Sequence, residues 1–145
     1  MTWTSIICHH SASSDHEWLD TNDIEFWHTE RGWRRIGYHR IVENVSGIYR
    51  GIIGRPAYMT GSHCKGWNST ALGVCFVGNF EEDEMPPEQL EVGAEVVAEL
   101  CLQYGIPPES IWLHKECGQT LCPGRLFPKA DLVKKVRARI QEKEV

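Results

Sequence analysis

The chain lacks an excess of positive charge, and this absence excludes one broad class of function. Its 15 Lys and Arg residues are outnumbered by 20 Asp and Glu residues, giving a formal net charge of −5. A general nucleic-acid-binding protein is usually basic, because it must neutralise phosphates. The same balance argues, more weakly, against attraction to an anionic membrane. The composition therefore predicts neither a nucleic-acid partner nor a membrane partner.

Long apolar runs are missing as well. No stretch approaches the about 20 predominantly apolar residues that a membrane-spanning helix needs. The first five residues carry no basic segment and lead into only three apolar residues, which is far short of a signal-peptide core. We therefore expect synthesis in the cytoplasm without a signal peptide.

Internal repeats, low-complexity tracts and linkers are also absent from the sequence. The 145 residues are enough for one compact core, and 41% hydrophobic with 24% charged residues is typical of a globular domain. We therefore expect a single domain over residues 1–145, and a monomer.

Cysteine is not scarce, since the chain has six. Without a secretion signal, reduced thiols or metal ligands are favoured over a disulfide framework. Cys75 lies in an apolar run and Cys101 on the apolar side of a predicted helix, so both are expected in the core. Cys117 is close enough in sequence to Cys122 to pair with it if oxidised, and this alternative stays open.

Strand and helix patterns alternate irregularly along the chain. Apolar, β-rich runs predict strands at residues 5–9, 38–42, 48–52, 71–80 and 111–113. Helices are predicted from Asn22, with Glu25 as a capping-box partner, to Gly32, then from Pro87 to Gly105, and finally along the stripe Leu132, Val136 and Ile140. The pattern indicates an α/β domain, with a central mixed sheet of about five to six strands flanked by about three helices.

Two histidines stand at the ends of predicted strands. His9 ends the apolar run at residues 6–8, His114 follows the strand at residues 111–113, and Cys122 comes eight residues later. Two imidazoles and a thiolate can hold zinc with a fourth position open to water, which is the catalytic arrangement. If the three converge, they indicate a hydrolase. From the residues alone, ordinary surface or core histidines are an equally open interpretation.

Five segments in order carry a family pattern. They are His9-His10-Ser11-Ala12, Gly32-Trp33 with Ile36-Gly37-Tyr38-His39, the stretch GSHCKGWN at 61–68, the stretch LGVCFVGNF at 72–80, and His114-Lys115-Glu116 with TLCPG at 120–124. Together they resemble the zinc-dependent N-acetylmuramoyl-L-alanine amidases of type 2. That superfamily includes phage lysozyme-type endolysins and animal peptidoglycan recognition proteins. The resemblance covers nearly the whole chain.

The resemblance implies hydrolysis of the amide that joins the lactyl group of muramic acid to the first alanine of the peptide stem. It implies a single zinc ion bound by His9, His114 and Cys122. Tyr38 falls on the catalytic tyrosine, whose hydroxyl can hydrogen-bond the polarised carbonyl oxygen or the zinc-bound water. Thr120 falls on a second polar position, where phage-type members often carry lysine and catalytic recognition proteins carry threonine.

Three further residues match the substrate groove of the family. His63 and Asn68 correspond to positions that contact the muramyl peptide, and Arg31 corresponds to a basic groove position. A helix-end arginine needs no such role, so the match of Arg31 is the weakest of the three. The implied partners are peptidoglycan and muropeptides.

The leading hypothesis is a phage or prophage endolysin that acts on the cell wall after release at host lysis. A cytoplasmic amidase that recycles muropeptides is a rival, although such enzymes commonly carry aspartate where this chain has Cys122. A non-catalytic peptidoglycan-binding module usually lacks one of the ligands. A structural zinc protein needs a fourth ligand, for which Cys117 is the only close candidate.

Overall fold

The structure is a computed structural model that describes residues 2–13, 21–22, 24, 26 and 36–144. Its strands are β1 (Ser5–His10), β2 (Arg40–Val45), β3 (Ile48–Ile53), β4 (Ala71–Phe76) and β5 (Ile111–Leu113). The helices that follow β4 in the chain are α1 (Pro87–Tyr104), α2 (His114–Cys117) and α3 (Lys129–Glu144), with a short 3-10 turn at Pro108–Ser110. None of the described helices combines the length and apolar character required to cross a membrane.

The five strands form one mixed sheet in the order β3-β2-β4-β1-β5. Among these described strands only β2 and β3 pair antiparallel, whereas β1 runs parallel to both β4 and β5. Every residue of β1 and β4 is buried, as expected for central strands that consist mostly of apolar residues. The predicted α/β mixed sheet is therefore confirmed.

Element ends differ from the prediction in two places. The strand predicted over residues 71–80 ends at Phe76, because the chain turns at Gly78, whose φ is 147°. Residues 21, 22, 24 and 26 are helical, in agreement with the helix predicted from Asn22. Its capping residue Glu25 and its predicted end at Gly32 lie outside the described residues.

Helices α1 and α3 cover one face of the sheet. The α1 residues Leu90, Ala94, Val97 and Cys101 are buried, as their spacing predicts, and α3 contributes Leu132 and Val136 to the same core. Helix α1 ends at Gly105, which adopts the left-handed conformation with φ of 66°. Ion pairs of Glu91 and Glu95 with Lys135, Arg139 and Lys143 join the two helices at the surface.

Alternation along β1 decides which side chains reach the other face. Ile6 and Cys8 belong to the core beneath the helices, whereas Ile7 belongs to a separate cluster. His9 therefore points to the face that α1 and α3 do not cover. All six cysteines are free, and four of them, Cys8, Cys64, Cys75 and Cys101, are buried.

Gly93 of α1 lies against Phe76, and a Cβ built on it would stand 2.7 Å from Phe76 Cζ. Alanine normally stabilises a helix relative to glycine by about 1 kcal/mol. Here the added methyl group would overpack the core against the buried ring of Phe76, which typically costs about 1–3 kcal/mol and outweighs that gain. We expect Gly93→Ala to lower the free energy of unfolding, measured by urea denaturation. The exposed Gln103→Ala of the same helix serves as control and should change stability little.

Candidate active site

Two imidazoles and a thiol converge on the uncovered face of the sheet. The ligand atoms of His9, His114 and Cys122 all lie within 4.8 Å of one another, and Cys122 Sγ is 3.9 Å from His9 Nδ1. His114 Nδ1 is buried and has no hydrogen-bond partner among the described residues. A buried nitrogen without a partner is costly unless something binds it. The donor set therefore fits a metal ion, and the predicted convergence is confirmed.

Parallel strand pairing brings the two histidines together. Cys8 lies opposite Leu113 in the β1–β5 register, so the next residues, His9 and His114, lie side by side at the same edge of the sheet. Their ring centroids are 4.5 Å apart. Helix α2 then starts at His114, and the Glu116 carboxylate accepts hydrogen bonds from the Leu113 backbone N–H and from Lys129 Nζ, each at 2.8 Å.

Backbone hydrogen bonds set the position of Cys122. The Lys115 N–H donates to the Cys122 carbonyl at 2.7 Å, which folds the loop back against the start of α2. The His10 N–H donates to Cys122 Sγ at 3.3 Å. Such a donor stabilises a thiolate, which is the form that binds metals.

Burial sets the charge state of the three groups. It lowers the pKa of His9 well below the usual value, with help from His63 and His114, and it lowers the pKa of His114. Burial also raises the pKa of the Cys122 thiol to about 11, against the hydrogen bond from His10. Both imidazoles are thus neutral and offer lone pairs, whereas the thiol must give up its proton when a metal binds.

The cluster forms the floor of a cleft of about 490 Å³. Its lining residues are His9, His10, Ala12, Tyr38, Ser62, His63, His114, Thr120, Leu121 and Cys122. A second cleft of about 490 Å³ shares Ser62, His63 and His114 and continues along Cys64, Lys65, Gly66 and Asn68. The two clefts make one groove that passes the cluster.

Both predicted catalytic residues line this groove. The ring of Tyr38 packs on that of His9, with centroids 5.0 Å apart. A side-chain hydrogen bond joins Tyr38 to the buried Cys75, whose backbone lies opposite His9 in the sheet. Burial raises the pKa of the Cys75 thiol, so the thiol keeps its proton and can donate it to the Tyr38 oxygen, which leaves the hydroxyl proton for a substrate. The Thr120 hydroxyl accepts the Cys122 backbone N–H at 3.2 Å and keeps its own proton for donation. The structure thus places two hydroxyl donors beside the metal-ligand cluster.

The predicted substrate residues differ in their settings. Asn68 lines the groove and accepts the backbone N–H groups of His63 and Cys64, at 2.8 and 2.9 Å. His63 also lines the groove, but it is only 9% exposed, and both of its ring nitrogens are engaged within the protein. Arg31 lies outside the described residues.

One residue that organises the site has no sequence signal. Arg55 is buried, and its guanidinium donates to the carbonyls of Ile36 and Thr60 and to the Ser62 hydroxyl. It thereby ties the segment before Tyr38 to the segment before His63. An isolated arginine between two turns carries no motif, and its burial follows only from the folded structure.

Comparison with known proteins identifies the family of the chain. The family model described as N-acetylmuramoyl-L-alanine amidase matches residues 1–125. The chain belongs to this amidase family. It is an enzyme of the peptidoglycan amidase class, as the sequence pattern predicts.

Relatives of this amidase come from phages, bacteria and insects. The endolysin of Klebsiella phage KP32 is 31% identical over 139 residues, covering 90% of this chain and 89% of that protein. A peptidoglycan-recognition protein of Drosophila simulans is 30% identical over 127 residues, covering 83% of this chain and 68% of that protein. The solved structure of the N-acetylmuramoyl-L-alanine amidase LysC from Clostridium intestinale matches with a TM-score of 0.81 and 30% identity, covering 94% of this chain and 86% of that one.

Cobalt(II) provides a direct test of the ligand set, because thiolate coordination gives it a characteristic near-ultraviolet charge-transfer band. We expect the amidase to show this band and Cys122→Ser to lose it, since serine cannot supply the thiolate. Cys117→Ser is the matched control and should keep the band, because Cys117 lies outside the ligand cluster. A band that is weakened but retained in both variants would indicate a four-ligand structural site instead, with one thiolate from each cysteine.

Proposed function

We propose that this amidase is zinc-dependent and acts as a phage or prophage endolysin on the amide between the muramic acid lactyl group and L-Ala. The observation that carries the proposal is the convergence of His9, His114 and Cys122 on the floor of an open groove. The endolysin of phage KP32, which matches along most of its length, supports the lytic role. The enzyme acts as a monomer on the cell wall after release at host lysis.

The donor atoms favour zinc over harder cations. Two neutral imidazoles and a thiolate suit a borderline-soft ion, whereas magnesium and calcium prefer oxygen ligands. His9 and His114 would bind through Nδ1 and Cys122 through Sγ, three ligands in all. When bound with an open position, zinc supplies Lewis acidity that activates water and polarises a carbonyl.

Two hydroxyl groups of the protein stabilise the charge that develops on the substrate oxygen. Tyr38, packed on His9, donates from one wall of the cleft. Thr120 donates from the other, and the Cys122 N–H fixes the orientation of its oxygen. Donors that are held in place before the reaction favour the transition state, because they need not reorganise as charge develops.

The groove beyond the cluster receives the rest of the substrate. His63 and Asn68 lie along its continuation, so the muramyl peptide runs past the ligand histidines and over the segment that Asn68 holds. Arg31 is proposed as a third substrate contact from its sequence position alone. The partners are peptidoglycan and its muropeptides.

The first experiment is digestion of insoluble peptidoglycan by the purified amidase, with chelator treatment and zinc restoration. We expect free stem peptides that begin with L-Ala, detected by mass spectrometry, because only cleavage of the lactyl amide releases them. Chelation should abolish release and zinc should restore it. Cys122→Ser is the matched inactive control.

Two outcomes would contradict the proposal. Binding to sacculi without release of peptides would indicate a binding module. Release from soluble muropeptides alone, with intact sacculi untouched, would indicate a recycling amidase rather than an endolysin.

Substitution of Tyr38 and Thr120 distinguishes an effect on the catalytic step from an effect on zinc binding. We expect Tyr38→Phe to lower kcat by about 10²–10³ with unchanged zinc affinity, since one oxyanion donor is lost. Thr120→Val should lower kcat as well, whereas Thr120→Ser, which keeps the hydroxyl, should retain most of it. Steady-state kinetics on a soluble muropeptide and zinc competition titrations give both quantities. A fall in zinc affinity for Tyr38→Phe would refute its assignment as a donor to the substrate.

A further inference from the structure

His63 occupies a position between a ligand histidine and the backbone of the central sheet. Its Nδ1 is 2.9 Å from His9 Nε2, and its own Nε2 is 2.9 Å from the carbonyl oxygen of Ala71. Both contacts are buried. The side chain therefore forms the middle of a chain of hydrogen bonds that runs from Ala71 through His63 to His9.

The carbonyl at one end fixes the direction of this chain. A carbonyl oxygen can only accept, so His63 Nε2 must carry the proton and donate it to Ala71. In a neutral imidazole the other nitrogen is then an acceptor, so His63 Nδ1 accepts from His9 Nε2. His9 consequently carries its own proton on Nε2, which leaves a lone pair on Nδ1, the nitrogen that faces Cys122 Sγ.

We propose that His63 is a positioning residue that fixes the tautomer and ring orientation of His9, so that Nδ1 is presented to the metal. This role rests on the proposed zinc-dependent function and on the hydrogen bonds of His63 with His9 and Ala71. It assigns His63 a role different from the substrate contact that the sequence pattern implies. Substitution of a residue that hydrogen-bonds a metal-binding histidine typically lowers metal affinity or activity by about 10–100-fold.

The surroundings of His63 leave its ring little freedom. A Cβ built on Gly73 would lie 2.7 Å from His63 Cγ and Cδ2, and a Cβ on Gly61 would lie 2.9 Å from His63 Nε2. Two glycines thus create the space for the ring. Asn68 holds the His63 backbone from the other side. Ala71 belongs to β4, which pairs with β1, so the anchor and the ligand share one sheet.

The test compares His63→Phe, which removes both ring nitrogens, with His63→Asn, whose side-chain oxygen can still accept from His9. Lys134→Ala, an exposed residue of α3 outside the groove, is the control. Zinc affinity is measured by chelator competition without substrate. The tautomer of His9 is measured by long-range proton–nitrogen NMR on ¹⁵N-histidine-labelled, zinc-free protein.

We expect His63→Phe to weaken zinc binding by about 10–100-fold, and its His9 to populate the Nδ1–H tautomer. His63→Asn should retain most of the affinity, and Lys134→Ala should match the wild type. Unchanged zinc affinity and an unchanged His9 tautomer in His63→Phe would overturn the inference. A rise in KM alone would equally overturn it, in favour of a substrate contact.

Gly73→Ala provides a second route that leaves the imidazole in place. The added methyl group must push the His63 ring away from its position, so zinc affinity should fall although every polar group remains. This variant decides the matter if His63→Phe does not fold, and wild-type affinity in folded Gly73→Ala would overturn the inference. Failure of the proposed function looks different, because the wild-type protein itself would then bind no zinc or release no stem peptides.

Discussion

Parallel pairing of β1 with its two neighbours is the constraint on which the site depends. The register places Cys8 beside Leu113, so His9 and His114 meet at one edge of the sheet. It also places His9 beside Cys75, the residue to which Tyr38 is hydrogen-bonded. Because side chains alternate across a strand, a slip of one residue would turn His9 toward α1 and α3 and away from Cys122. Nearly continuous apolar residues in β1 and β4 hold the register, since both faces of these strands are buried.

Burial of the three candidate metal ligands has a cost for the protein alone. The three ligand groups are held uncharged, and one nitrogen of His114 has no partner among the described residues. Removing polar groups from water without compensation is unfavourable. A metal bound at His114 Nδ1 would offset this cost, whereas the Cys122 thiol would first have to release its proton. The site and the stability of the chain are therefore linked.

Residues of the candidate site can be selected from the sequence where the information is local. His9, His114 and Cys122 could be selected because each stands at a strand end or in a short motif, and the parallel sheet then brought them together. The role of Arg55 could not be predicted, because it joins Ile36 in one segment to Thr60 and Ser62 in another and no motif marks these contacts. His63 could be recognised as a site residue, but not its contact with His9, which depends on the ring orientation that Gly61 and Gly73 permit. The end of β4 was overestimated because apolar residues continue past the turn at Gly78.

The six free cysteines bear on how the enzyme reaches its working form. No disulfide joins any of these six, so the fold needs no oxidative maturation and no isomerase to sort its thiols. It can form alike in reducing and in oxidising surroundings. Four of the thiols are buried, so oxidation of the thiols is expected mainly at Cys117 and Cys122, the two that solvent can reach. A metal on Cys122 would then act as a chemical protecting group, shielding the thiol on which the site relies.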